Sequence, residues 1–228
     1  AGALAWLDAE KRRGRIRFAG FSFHDDFGVF REILDAYDWD FCQIQYNYAQ
    51  PEIQAGTRGL RHAHGRGVGV AVMEPLFGGF LAGPRLPPGA NRLFEEAGID
   101  PVSSALRWLW NQPEPAVVLS GMNERVQVRD NLRLAGTAEA GCLTAREAQV
   151  LERVCRQMRE SVPIACSQCG YCLASCTVGV KIPVMFDIYN KHLLVDRKHT
   201  LQPALYRSFL PNEKASACIR CGACLKRC

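Results

Sequence analysis

One cysteine pattern, written twice, limits what this chain can fold into. Cys166, Cys169, Cys172 and Cys176 are spaced C-x2-C-x2-C-x3-C, and Cys218, Cys221, Cys224 and Cys228 repeat that spacing. This is the run with which thiolates hold [4Fe–4S] clusters. Close spacing lets one tight turn aim three thiolates at three irons, while the fourth cysteine comes from elsewhere. In two-cluster proteins the fourth Cys of each run serves the other cluster. Cys166, Cys169, Cys172 and Cys228 are therefore assigned to one cluster, and Cys218, Cys221, Cys224 and Cys176 to the other. Gly170 and Gly222 follow the second Cys of each run, where a residue without Cβ lets the backbone pass close to a cluster. Zinc and disulfides are the rival readings. Structural zinc usually takes two separated C-x2-C pairs, and a disulfide framework suits a shorter secreted chain. Thr177 stands where a Pro usually follows the fourth cysteine, but no ligand is missing.

The rest of the composition narrows the class further. With 228 residues, 48% hydrophobic and 22% charged, there is ample material for a core. No apolar run approaches the roughly 18–20 residues of a membrane span. The formal charge of +5 is scattered among acids rather than gathered in a stripe, so neither a nucleic-acid nor a membrane partner is expected. Eight cluster ligands demand a reducing compartment, which favours the cytoplasm. The sequence begins without Met inside what reads as a helix and stops on a required ligand, so it is expected to be part of a longer protein.

Ahead of the cysteines, strands alternate with helices. Short apolar runs at residues 16–21, 41–46, 68–73 and 116–119 read as strands. Helical spacing follows at residues 27–34, 52–65, 103–110 and 124–134. Asp25 or Asp26 can cap the first of these. Four such units in about 135 residues predict a parallel α/β sheet built of βα units. A closed (β/α)8 barrel typically needs about 250 residues, so four units make half of one. A small doubly wound sheet is the alternative, though no G-x-G-x-x-G sits at a strand-to-helix turn. Residues 144–158 read as a long linking helix opened by an S/T-x-x-E box at Thr144 and Glu147, with Val162-Pro163 breaking it. Between the cysteine runs, residues 183–194 and 203–210 read as helices. Cys42, Cys142 and Cys155 stand alone and read as small buried hydrophobes.

Two resemblances follow from these blocks. A helical insert between cysteine runs is similar to the α-helical ferredoxin domain of succinate dehydrogenase and fumarate reductase iron–sulfur subunits. Upstream, Gly20-Phe21-Ser22, Gln43-Ile44-Gln45-Tyr46-Asn47, Met73-Glu74-Pro75-Leu76 with the glycines after it, and Ser120-Gly121 through Gln127-Val128-Arg129-Asp130-Asn131 resemble motifs of the aldo/keto reductase family, in order and spacing. The resemblance implies strands five to eight of a TIM barrel over residues 1–140, a linking helix over 141–162 and a ferredoxin-type 2[4Fe–4S] domain over 163–228. The front half of the family's barrel is absent.

The same resemblance implies roles. Ser22 and Gln43 are expected to hydrogen-bond the carboxamide of NAD(P)H. Pro75, Leu76, Gly79, Leu81 and Gly83 are expected to run along its pyrophosphate, and Ser120, Gly121, Gln127, Asp130 and Asn131 to hold its adenosine end. Phe23 replaces the family's Asn, and Met73 falls where an aromatic ring normally stacks on the nicotinamide. No lysine stands at Gly121, so the choice between NAD and NADP stays open. The family's catalytic Asp, Tyr, Lys and His have no counterparts, so these residues alone are not expected to transfer hydride. The implied function is an oxidoreductase that couples nicotinamide chemistry on a small carbonyl or alcohol to two [4Fe–4S] clusters, with a one-electron carrier protein as partner. The alternative is a non-catalytic barrel scaffold carrying an electron-transfer module.

Overall fold

The computed structural model describes residues 2–83, 86–161, 164, 166, 170–194 and 201–227. In chain order the first elements are α1 (Ala3–Arg12), β1 (Gly20–Phe23), α2 (Phe27–Asp35), β2 (Phe41–Gln45), α3 (Gly56–Gly65) and β3 (Gly69–Met73). Then come α4 (Pro88–Ala97), α5 (Pro101–Trp110), β4 (Pro115–Val118) and α6 (Arg125–Ala135). The remainder holds α7 (Ala145–Ser161), α8 (Ile182–Leu194), α9 (Gln202–Ser208) and three short 3-10 turns at Pro211–Glu213, Ala215–Ala217 and Ala223–Arg227. No helix among the described residues is long and apolar enough to cross a membrane.

The chain divides into two compact units, Ala1–Gly78 with Val102–Ala148, and Gly79–Pro101 with Gln149–Cys228. In the first unit β1, β2, β3 and β4 pair in sequence order as one parallel sheet. Parallel neighbours need a crossover, and α2, α3 and α5 lie on those connections. Alternation along each strand separates two faces. Phe23, Ile44, Val70 and Val72 face a core that also buries Phe30 of α2, Leu60 of α3 and Leu109 of α5. The opposite face carries Ser22, Gln43, Ala71 and Val117 in register.

Local chemistry explains where the elements begin. Asp26 caps α2, its carboxylate accepting from the backbone N–H of Gly28 (2.7 Å) and Val29 (3.2 Å). The first strand starts later than its apolar run suggests. At Ala19 the N–H donates to the Asp40 carboxylate at 2.7 Å instead of entering a ladder, and Phe18 before it is exposed. Helix α3 also starts later, because Gln54 and Gly56 hold left-handed φ of 61° and 57° and interrupt the right-handed run there. The helix α4 has no counterpart in the sequence reading. Its signal is Pro at the first helical positions and burial of Ala90 and Phe94 four apart.

In the second unit α7 buries Val150, Val154 and Met158 on one stripe. A smaller core gathers Val180, Met185 and Ile188, with Cys176, Tyr206, Phe209 and Ala217 packed against it. The helix end expected at Val162-Pro163 and the ligands Cys169 and Cys228 lie outside the described residues.

Candidate functional site

Both cysteine runs close the same backbone turn. Gly170 and Gly222 take φ of 79° and 72°, a conformation that glycine alone adopts freely. Their carbonyls accept from Leu173 N at 2.9 Å and Leu225 N at 3.1 Å. A side chain at Gly222 meets nothing within 4 Å and one at Gly170 only Leu173 at 3.7 Å, so the requirement is handedness of the turn rather than space.

Cys176 of the first run and Cys218, Cys221 and Cys224 of the second line one cavity of about 150 Å³. Apart from Ser175 its remaining wall is apolar, with Val178, Val180, Ile182, Met185 and Phe186 among its residues. The 3-10 turn Ala215–Ala217 presents Cys218, and the turn Ala223–Arg227 contains Cys224. Backbone donors point at the sulfurs: Val180 N reaches Cys176 Sγ at 3.3 Å, and Arg220 N reaches Cys218 Sγ at 3.4 Å. At Cys176 burial alone would raise the thiol's pKa, yet the N–H groups of Val180, Val178 and Gly179 hold it below the ordinary value.

Among the described residues, no three His, Cys, Asp or Glu side chains converge tightly enough to hold a single ion. That constraint is stricter than the one a cluster sets. Sulfurs about 2.3 Å from one zinc stand roughly 3.8 Å from one another, whereas a four-iron cluster takes one thiolate per iron and spreads them. Four thiols around an apolar cavity, with N–H donors on sulfur, fit an iron–sulfur cluster by donor chemistry. Cys166 and Cys172 are half-buried.

On the sheet's open face, Ser22 and Gln43 are register partners on β1 and β2. Gln43 Nε2 lies 3.5 Å from Met73 Sδ at the end of β3. Gly20 keeps this face passable, since a Cβ there would stand 2.5 Å from the ring of Phe41. The loops beyond the strands are tied together by Asn47, a fully buried amide with no role in the sequence reading. Its Nδ2 donates to Glu74 O at 3.1 Å and its Oδ1 accepts from Gln50 N at 3.0 Å. Glu74 and Phe77 there hold left-handed φ of 57° and 48°. Pro75 is buried and Leu76 half-buried in this first unit, whereas Gly79, Leu81 and Gly83 belong to the second.

After β4, Asn131 Nδ2 donates to Ser120 Oγ at 3.1 Å, which joins two expected site residues across the turn. Gln127 Oε1 accepts from the N–H of Asn123 (2.9 Å) and of Glu124 (3.3 Å), opening α6. Asp130 pairs with Arg129 at 3.3 Å, and Gly121 is exposed. Of the three isolated cysteines Cys42 is buried as expected, whereas Cys142 and Cys155 are only half-buried, and burial pushes the thiol pKa of Cys42 up to about 12 and that of Cys155 up to about 11.

Residues 3–140 match the model of the aldo/keto reductase family, and residues 165–228 match that of a 4Fe-4S dicluster domain. Among solved structures, the aldo-keto reductase AKR11C1 from Bacillus halodurans in its holo form is 23% identical with a TM-score of 0.53, covering 66% of this chain and 54% of that one. A thermostable aldo-keto reductase, Tm1743, is 22% identical with a TM-score of 0.51, covering 66% and 53%. The chain thus spans about half the length of these structures, and the likeness is one of fold. No curated protein matches it.

Proposed function

From a chain that belongs to the aldo/keto reductase family and carries a 4Fe-4S dicluster domain behind the family segment, we propose an iron–sulfur oxidoreductase acting on a small carbonyl or alcohol. In this reading β1 to β4 are strands five to eight of a (β/α)8 barrel, residues 141–162 link it to the cluster domain, and residues 163–228 are a helical ferredoxin-type domain. When bound, the nicotinamide supplies hydride transfer and two [4Fe–4S] clusters supply one-electron steps.

The chain's own residues bind and orient. Ser22 and Gln43 hold the carboxamide end at the C-terminal side of the sheet, where barrel enzymes build their sites. The backbone from Pro75 and Leu76 to Gly79, Leu81 and Gly83 follows the pyrophosphate. Ser120, Gly121, Asp130 and Asn131 take the adenosine end. Gln127 meets it through Nε2 alone, because both lone pairs of its Oε1 are engaged by backbone donors. The family's catalytic Asp, Tyr, Lys and His are not among these residues, so the 228-residue chain does not turn over by itself. A reducing, cytoplasmic setting suits eight thiolate ligands.

One observation carries the cluster reading: Cys176 lines the same cavity as Cys218, Cys221 and Cys224. That is the set the fourth-cysteine rule gives to one cluster, leaving Cys166, Cys169, Cys172 and Cys228 for the other. Anaerobically prepared protein is expected to hold about eight iron and eight labile sulfide per chain. Cys176→Ser is expected to leave about four of each, with the remaining cluster bound through the first run. Stoichiometric zinc without sulfide, or a Cys176→Ser protein that keeps both clusters, overturns the reading.

A further inference from the structure

Beside the cavity lined by Cys176, Cys218, Cys221 and Cys224, the second cysteine run carries exposed aliphatic and cationic side chains. Cys218 and Cys221 are exposed. Between them stand Ile219, 62% exposed, and Arg220, and past Cys224 the turn continues through Leu225, 77% exposed, to Lys226 and Arg227. Arg220, Lys226 and Arg227 are themselves exposed. From Lys214 to Arg227 the chain has no Asp or Glu. Ile219 and Leu225 stand six residues apart within this cysteine run, and an apolar centre with a polar rim is the anatomy of an interface.

Resting on the cluster reading above, we propose that Ile219 and Leu225, rimmed by Arg220, Lys226 and Arg227, form the docking surface for a small acidic iron–sulfur protein that exchanges single electrons with this chain. Three arguments fix the partner's chemistry. The rim is wholly cationic, so its complement is anionic. Arg220, Lys226 and Arg227 supply three positive side chains against a charge on the order of −2 for the cluster that Cys218, Cys221 and Cys224 help ligate. Electron-transfer encounters are small and weak, below about 1,200 Å² of buried area, and rely on electrostatic steering for their rate. The two exposed cysteines bring the redox site to this same face. The step itself balances simply. One electron leaves the reduced partner and one enters the chain's redox site, with no bond made or broken and no proton moved.

The test follows reduction of the full cluster-loaded chain by a pre-reduced plant-type [2Fe–2S] ferredoxin in stopped flow. The second-order rate is expected to fall at least about tenfold as ionic strength rises from about 0.01 M to 1 M, where screening shortens from about 30 to 3 Å. The charge reversal Lys226→Glu with Arg227→Glu is expected to lower the low-salt rate about tenfold and to remove most of the salt dependence. Arg92→Glu with Arg153→Glu makes the same change in net charge at exposed positions of α4 and α7 and is expected to keep both. A salt-independent parental rate, or equal losses in both double variants, overturns the docking surface. Should Lys226→Glu with Arg227→Glu lose its clusters, the neutral Lys226→Gln with Arg227→Gln takes its place in the same comparison, and an unchanged salt dependence there overturns the docking surface. Iron, sulfide and full bleaching by excess dithionite are read on every sample; a parent that fails there refutes the cluster reading itself, and the docking surface with it.

Discussion

At Glu147 three hydrogen-bonding groups converge on one carboxylate. Thr144 N and Thr144 Oγ1 donate to Oε2 at 2.8 and 2.7 Å, and Arg107 Nε donates to Oε1 at 2.8 Å. Arg107 also reaches Cys142 O with its other arm. Burial alone would raise the Glu147 pKa, but the Thr144 bonds and the Arg107 guanidinium together hold it below the ordinary value. The sign follows from linkage. Its contribution to stability is whole above the unfolded value of about 4.3 and disappears as pH falls through the depressed folded value. Glu147→Gln is expected to cost about 1–2 kcal/mol at neutral pH, with the difference from the parent shrinking in acid. All four tryptophans, Trp6, Trp39, Trp108 and Trp110, lie in the same unit as this pair, so denaturation followed by their fluorescence reads the effect. A difference that persists unchanged in acid assigns Glu147 a purely packing role. The Thr144–Glu147 half of this cluster was legible as a local S/T-x-x-E pattern. Arg107 was not, because no periodicity relates residues 40 apart.

Elements divide along the same line. The βα alternation was legible because Val70, Val72, Ile44 and Phe30 write their burial into the spacing of apolar residues. Boundaries were less so. At the first strand the backbone of Ala19 answers to the distant Asp40 carboxylate, and at α3 the start is set by the handedness of Gln54 and Gly56, neither of which is an apolar signal. The site motifs show a further limit. Gln127 was read for its place in a motif, yet its carbonyl opens α6 by accepting two backbone N–H groups. Gln127→Ala is therefore expected to destabilise the first unit by about 1 kcal/mol, the usual worth of a helix cap. Gln127→Glu retains an acceptor and is expected to restore most of that loss. Equal stability of the parent and Gln127→Ala in the same fluorescence measurement removes the cap from the account. Helix α6 depends on its cap more than the other helices of its unit, since it buries none of its residues.

Over the whole first unit, that same exposed helix belongs to a larger open surface. Among the described residues the sheet ends at β1 on one side and β4 on the other, with neither edge paired to a further strand. Unpaired edges of a parallel sheet present a row of N–H and C=O groups that another strand can take up. The face opposite the packed helices is also open, with Val117 52% exposed beside its register partner Ala71, and Phe41 exposed on β2. On α6, Leu132 is 67% exposed and Val126 and Val128 are exposed with it. Leaving one such side chain in water forgoes roughly 1.5–3 kcal/mol of burial, and several together exceed the small apolar patches that a soluble monomer tolerates. We therefore expect the 228-residue chain by itself to self-associate, with elution in size-exclusion chromatography moving to larger species as concentration rises. Val117→Lys with Leu132→Lys is expected to shift the equilibrium toward monomer by placing charge on the sheet face and on α6 together. Nicotinamide binding is expected to be weak in the same preparation, because Ser22 and Gln43 stand on a face with solvent where a pocket needs a second wall. A concentration-independent monomer that binds NADPH in the micromolar range would mean that the open face is closed by some other part of the chain, and the half-barrel reading would then be wrong.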